Sequence, residues 1–343
     1  HSATAFPALP ESSAYAERAL KRFAAQNTVH LNPEGVVLEH SPRYHRSGLT
    51  WLTMALRYIT LLDQEVPSEW RPRYEKAKAF YGLLRRPDGS LPMMGDTPAG
   101  PDPEGPLVAR VDALGRFGPP SFSQWRPADA YGLYPLAGYA VWWDGLSSWP
   151  QTQGLQQTFI AWSHYPNLPH KHADEMSISL WADGSTWWTN VGYWPYGTRG
   201  RDESESWPGS NAPHLEGESA LSERNTILRY HLANEAFRFI DLERVGPGDF
   251  RARRQVVQIP PDHWIVIDAT TGAAGKRTTT TWTTDASMRM DGEKPESVVL
   301  RPVDGSRRMA ASFLASEGAR LYRFRGRMAV SYTHLRAHET PLH

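Results

Sequence analysis

The stretch LPHKHADEMSISLWADG begins at Leu168 and sets His170, His172 and Asp174 at alternate positions, ahead of an alternating strand pattern. Alternate residues of an extended chain share one face. Two imidazoles and a carboxylate on one face offer two chemistries, a shared metal ion or a positioned base for proton transfer. The H-x-H spacing alone also fits the solvated end of a surface strand. Further along, STWWTNVGYWPYGTRGR carries Asn190 and SNAPHLEGES carries His214. His172, Asn190 and His214 together would make a zinc set, although a neutral Asn is a weaker oxygen donor than Asp. A metal-assisted hydrolase on His170, His172, Asp174 and His214 is a further alternative, and it would need a tightly held ion and a water nucleophile.

A second cluster lies in NPEGVVLEHSPRYHRSGL, with Glu39, His40, Arg43, Tyr44 and His45 just ahead of a long apolar segment. Pro42 after the loop-like NPEG suggests a helix entrance, a good place for an anionic group. His40 and Arg43 would together neutralise a carboxylate. The plainer alternative is local capping with a surface ion pair between Glu39 and Arg43.

Two regimes of periodicity must position these residues. Up to about residue 146 the patterns are helical. ESSAYAERALKRFAAQN repeats apolar positions at helical spacing, and SEWRPRYEKAKAFYGLLRR predicts a helix from Ser68 to the PDG turn at 87–89. From Ser47, Leu49, Leu52, Leu56, Ile59 and Leu62 recur at steps of three and four, while Trp51, Met54, Tyr58 and Leu61 fill the other faces. That helix should be buried among others. Residues 87–128 are rich in Pro and Gly and read as loop. ADAYGLYPLAGYAVWWDG reads as a short helix followed by a strand. After Gln151 the period is two, in eight segments from QTFIAWSH to TTTTWTTD, separated by turn signals such as Asp183-Gly184. An all-helical domain followed by an antiparallel sandwich results, with the cleft between them as the place for a long ligand.

Composition narrows the function classes. The 343 residues carry zero net formal charge and no cysteine. There is no global pull toward nucleic acid or an anionic membrane, and no disulfide or thiolate metal site is possible. No run of about 18 apolar residues predicts a membrane span, and HSATAFPALP shows no signal peptide. The 14 Trp and 14 Tyr suit the C–H faces and hydroxyls of sugar rings, and equally a β-rich core. The last residues, VSYTHLRAHETPLH, fit neither pattern and resemble a translated adaptor remnant.

PEGVVLEHSPRYH, PMMGD at 92–96, YPLAGYAVWWDG, HKHADEMSISLWADGSTWWTNVGYWPYG and SNAPHLEG together resemble the heparinase II/III superfamily of polysaccharide lyases over about residues 30 to 270. The resemblance implies an α+β multidomain chain: a partial (α/α) toroid over 1–146, an incomplete β-sandwich over 147–330 and a non-native tail over 331–343. It implies a fragment whose helical part leaves apolar faces uncovered, hence a poorly stable chain. It implies β-elimination on a uronic-acid polysaccharide: His40 and Arg43 neutralise the uronate carboxylate, and His170 with a tyrosine transfers protons. His172, Asn190 and His214 would form a structural zinc site. The family's helical-domain tyrosine has no counterpart in RRPDGSLPMMGD, so Tyr193 and Tyr196 are the candidates. The missing tyrosine keeps a non-catalytic carbohydrate-binding relative as an alternative. The expected partner is an anionic polysaccharide, with no nucleic acid or membrane, and the expected location is periplasmic or secreted. The absence of a dense Arg/Lys cluster near the motifs points to an unsulfated uronate.

Overall fold

The computed structural model describes residues 2–102, 126–163, 170–222, 224–272, 275–294, 296–303, 305, 307–316, 319–328 and 330–339. Helices α1 (Ser2–Ala5), α2 (Ser12–His30), α3 (Pro42–Leu61) and α4 (Trp70–Leu84) come first, and a short α5 (Arg201–Glu205) lies among the strands. Helix α3 starts at Pro42, the helix entrance the sequence suggests. Proline occupies its first turn, where a missing N–H costs nothing. It is not buried all round: Leu49 and Ile59 are inside, but Trp51 is 65% and Leu61 53% exposed.

A five-stranded antiparallel sheet follows, in the order β1 (Tyr131–Tyr134), β2 (Tyr139–Asp144), β3 (Gln156–Ala161), β4 (Ser177–Ala182), β5 (Ser185–Trp188). The segment read as a short helix plus strand is therefore a β-hairpin, β1–β2. Tyr131 pairs with Trp142 and Tyr134 with Tyr139. The aromatic and branched residues of this stretch prefer the pleated geometry, and Gly138 takes the turn at φ 78°. The sheet thus begins at Tyr131, ahead of residue 146.

This sheet is buried on both faces, which explains why its strands lack a polar side. Tyr139, Val141, Trp143, Phe159, Ala161 and Trp181 pack against the helices with Phe80, Leu83 and Leu84. The alternate residues Ala140, Trp142, Ile160, Ile178 and Leu180 pack against a second sheet through Ile240, Leu242 and Val256. Strand parity sorts the two faces. The second sheet has the order β10-β9-β8-β7. It contains, in chain order, β7 (Asn225–Ala233), β8 (Arg238–Val245), β9 (Arg251–Ile259) and β10 (His263–Thr271). Burial alternates along β9, as expected for a sheet with one solvated face.

A third sheet contains β6 (His214–Leu215) and β11 (Thr278–Thr283), and a fourth contains β12 (Met288–Lys294), β13 (Ser297–Pro302) and β14 (Met309–Ser312). Strands β15 (Arg320–Met328) and β16 (Val330–Glu339) complete the third sheet, with β16 between β15 and β11. The segment expected as a foreign tail therefore carries β16.

The helical unit is fastened by polar side chains of the first sheet. Trp143 Nε1–H donates to the Leu83 carbonyl at 2.8 Å, and Gln157 Nε2 donates to the Leu83 and Leu84 carbonyls at 2.8 and 3.1 Å. These bonds satisfy the orphan carbonyls at the end of α4. Arg86, 1% exposed, donates to Gln157 at 2.8 Å and to Ser179 at 3.2 Å. Burial lowers its pKa to about 10, so it stays charged at neutral pH. Among the described residues no helix is long and apolar enough to cross a membrane.

Candidate active site

The loop 92–97 passes between the entrance to α3, the 170–176 loop and the loop after β5. Gly95 is the point of convergence. Its φ is 52°, and a Cβ there would lie 2.4 Å from the His40 carbonyl oxygen and 2.6 Å from that of His170. Only glycine fits this close approach of three backbones. The Gly95 N–H donates to Asp174 Oδ2 at 2.8 Å, and the Asp96 N–H donates to the His170 carbonyl at 3.2 Å. Ser41 Oγ meets Thr97 Oγ1 at 2.8 Å, and the Tyr193 N–H donates to the Thr97 carbonyl at 3.0 Å. Two non-glycine residues here, His40 (φ 57°) and His170 (φ 68°), hold left-handed backbone. Such outliers persist only where the surroundings impose them.

Asp96 is the hub. His170 Nδ1 lies 2.9 Å from its Oδ2, and the Tyr196 hydroxyl donates to that same oxygen. His172 Nε2 at 2.9 Å and Arg201 Nη1 at 2.7 Å reach Oδ1. Four donors thus meet one buried carboxylate. Burial alone would raise its pKa, but the hydrogen bonds from His172, Tyr196 and His170 hold it well below the usual carboxylate range. An ionised Asp96 only accepts, so it fixes a proton on Nδ1 of His170 and leaves Nε2 as the basic atom. Glu39 Oε2 lies 3.9 Å from that Nε2.

Tyr44 stacks flat on the His170 ring, with centroids 3.4 Å apart at 13°, and hydrogen-bonds Tyr196. The Tyr196 hydroxyl is 3.1 Å from His170 Nδ1. Its pKa is raised by desolvation at the hydroxyl end and by the neighbouring Asp96 carboxylate and Tyr44, although the residue is 56% exposed overall. Tyr196 is therefore a proton donor at neutral pH. Tyr193 lies beside it, rings 5.8 Å apart, and Arg201 stacks over Tyr196 at 4.3 Å.

The remaining expected residues are placed differently. His40 is 2% exposed, with Nδ1 3.2 Å from Ser163 Oγ, so it faces protein rather than solvent. Arg43 pairs with Asp102, which Arg46 also reaches at 2.9 Å, so the expected Glu39–Arg43 pair does not form. Asp174 receives Lys171 and the Gly95 amide, and is committed to holding the loop.

The donor set decides the zinc expectation. His172 turns Nε2 to Asp96, and His214 turns Nδ1 to the Ala212 carbonyl at 2.9 Å while stacking on Trp207. Each has one ring nitrogen oriented by an acceptor, as metal-ligating histidines do. Asn190 does not fit: its amide nitrogen faces Met94 Sδ at 3.0 Å and its oxygen accepts the Asn211 amide at 3.2 Å. The three residues therefore do not make a zinc set. Asp96, His172 and Glu205 bring ligand atoms within 4.8 Å of one another. Arg201 pairs with both of those carboxylates and supplies the positive charge there.

Sequence reasoning missed Asp96 and Arg201 as site members, and gathered Glu39 and Tyr44 in the second cluster without giving either a role in the site. The one readable signal was the Gly-Asp pair inside the loop PMMGD, where a conformationally special glycine precedes a carboxylate.

Comparison with known proteins agrees with this architecture. The family described as heparinase II/III-like, C-terminal, matches residues 132–332, and the heparinase II/III N-terminus matches residues 1–101. No curated protein matches by sequence. Among solved structures, a heparinase III superposes with a TM-score of 0.78 at 16% identity, covering 98% of this chain and 54% of that one. The heparan sulfate lyase HepC from Pedobacter heparinus gives 0.76 at 15%, covering 98% and 55%. A second heparinase III structure gives 0.78 at 15%, covering 99% and 57%. The chain thus spans little more than half the length of these structures, and at such identities they speak for the fold alone. The two family matches together take in most of the chain, which belongs to the heparinase II/III family.

Proposed function

We propose that this chain is a polysaccharide lyase that cleaves a uronic-acid polymer by β-elimination. The observation that carries the proposal is the Asp96 carboxylate holding His170 and Tyr196 side by side, one as base and one as acid. His170 Nε2 removes the C5 proton. The C4–O bond breaks as the C4=C5 double bond forms, and the leaving oxygen takes the Tyr196 proton. The 3.1 Å contact between His170 Nδ1 and the Tyr196 oxygen then returns a proton to the tyrosine, and exchange through solvent carries the proton left on Nε2 back to Nδ1, where Asp96 accepts it. Tyr44 fixes the plane of the imidazole, and Tyr193 flanks the acid. We assign neutralisation of the substrate carboxylate, where enolate charge develops, to Arg43, whose side chain is 29% exposed and which shares the single Asp102 carboxylate with Arg46, leaving one positive charge over. His40 supports the loop behind it.

An anionic polysaccharide substrate, a periplasmic or secreted location, and a helical unit that forms part of an (α/α) toroid belong to the same reading. The names of the structural relatives, a heparan sulfate lyase and a heparinase, support the substrate part of that reading. Product analysis on a panel of uronic-acid polymers is the test. The reading expects an unsaturated, ultraviolet-absorbing end with its vinyl proton visible by NMR. A saturated reducing end would show hydrolysis instead, and binding without any product would show a non-catalytic carbohydrate binder.

A further inference from the structure

Away from the Asp96 cluster, the sandwich side of the first sheet opens into a cavity of about 560 Å³. It lies where all four sheets meet: β4 and β5, β9 and β10, β11 of the third sheet, and β14 with the segment running on to 315. That volume is in the range of small-molecule sites. No residue of the Asp96 cluster lines it.

Three features describe its contents. Trp264 and Trp282 are only half-buried and line the cavity, with Trp188 edge-on to Trp282 at 5.3 Å. Gln156, 6% exposed, lines it from the sandwich face of β3. Its Oε1 has no hydrogen-bond partner among the described residues. A buried amide oxygen left unmatched is costly, and a bound hydroxyl would satisfy it. Charges of both signs line it: Asp183 pairs with Arg307 at 3.0 Å and Asp268 with Arg254 at 2.6 Å, and Asp262 and Arg308 line the cavity as well. The lining therefore has no excess of one sign to hold an ionic ligand.

We propose that this cavity is a binding site for a neutral sugar, one or two pyranose rings, separate from the lyase centre. Indole faces match the C–H faces of a pyranose, the Gln156 amide oxygen accepts from a ring hydroxyl, and the balanced charges of the lining favour an uncharged ligand. The inference does not rest on the lyase reading, because it concerns binding of uncharged glycan at other residues.

The test is saturation-transfer NMR and tryptophan fluorescence on the full chain with a panel of neutral disaccharides: cellobiose, lactose, maltose and N,N′-diacetylchitobiose. At least one should bind with a dissociation constant on the order of millimolar. Trp264→Ala and Gln156→Ala should each weaken it about tenfold, with melting curves verifying the fold and uronate turnover unchanged. Should either variant unfold, the milder Trp264→Phe or Gln156→Leu replaces it in the same measurement. The proposal is overturned if no member of the panel binds at roughly 50 mM, or if binding survives both folded variants. It is overturned equally if a hydroxyl-free apolar dye occupies the cavity while the sugars do not.

Discussion

Replacing Gly95 with alanine probes the point where the two halves of the site meet. The added Cβ would lie 2.4 Å from one carbonyl oxygen and 2.6 Å from another, both backbone atoms of His40 and His170. Neither is the far end of a flexible side chain, so the two loops must separate by about half an ångström each. Alanine at φ 52° adds backbone strain of about 1–2 kcal/mol. Overpacking of this kind costs a further ~1–3 kcal/mol. Gly217 supplies the control, with φ 75° and open space within 4 Å of the position a Cβ would take. Gly217→Ala therefore carries the backbone strain alone. Urea unfolding of both variants should show Gly95→Ala the less stable by about 1–3 kcal/mol. Uronate turnover should fall about a hundredfold in Gly95→Ala at a temperature where it remains folded, because His170 moves relative to its partners. Equal stability and equal turnover in the two variants would refute the claim that the loops of His40 and His170 are held together at this point.

Other outcomes follow from the same contacts. His45 is buried, accepts from the Val37 N–H at 3.1 Å, bonds the Ala77 carbonyl at 3.0 Å, and has its pKa lowered by burial to about 4. Below pH 6.5 the unfolded chain binds a proton that the folded one refuses, so stability falls with pH down to about 4. That loss should total about 3 kcal/mol and shrink markedly in His45→Gln, measured by urea titration across pH; an identical slope in the variant contradicts it. Asp96 is depressed, so its contribution is present above the ordinary carboxylate range and lost as pH falls below it. Asp96→Asn leaves some of four donors facing an amide N–H₂; it should abolish turnover and shift the His170 nitrogens in ¹⁵N NMR away from the Nδ1–H form. An unchanged tautomer would remove Asp96 from its role.

Much of the β architecture was legible because period two is a strong signal over strands such as β9, whose inward residues Ala252, Arg254 and Val256 alternate with exposed ones. Strand β1 was misread because YGLY, at four residues, is too short to show an alternation, whereas YAVWWD of β2 read as a strand. The exposure of Trp51 was equally hidden, since an apolar face does not declare whether anything covers it. In the site, His170 and Tyr196 were reachable from motifs. Asp96 lay inside one of those motifs, PMMGD, but its role comes from four donors contributed by other segments, which no spacing shows. His40 drew attention by its type, yet its neighbours enclose it.

The most direct test compares the rise of ultraviolet absorbance on a cleaved uronic-acid polymer for the wild-type chain, His170→Ala and Tyr196→Phe at matched folded concentration. The account predicts a steady rise for the wild type, none for His170→Ala, and a fall of about a hundredfold or more for Tyr196→Phe. Undiminished production of the unsaturated end by His170→Ala would contradict it.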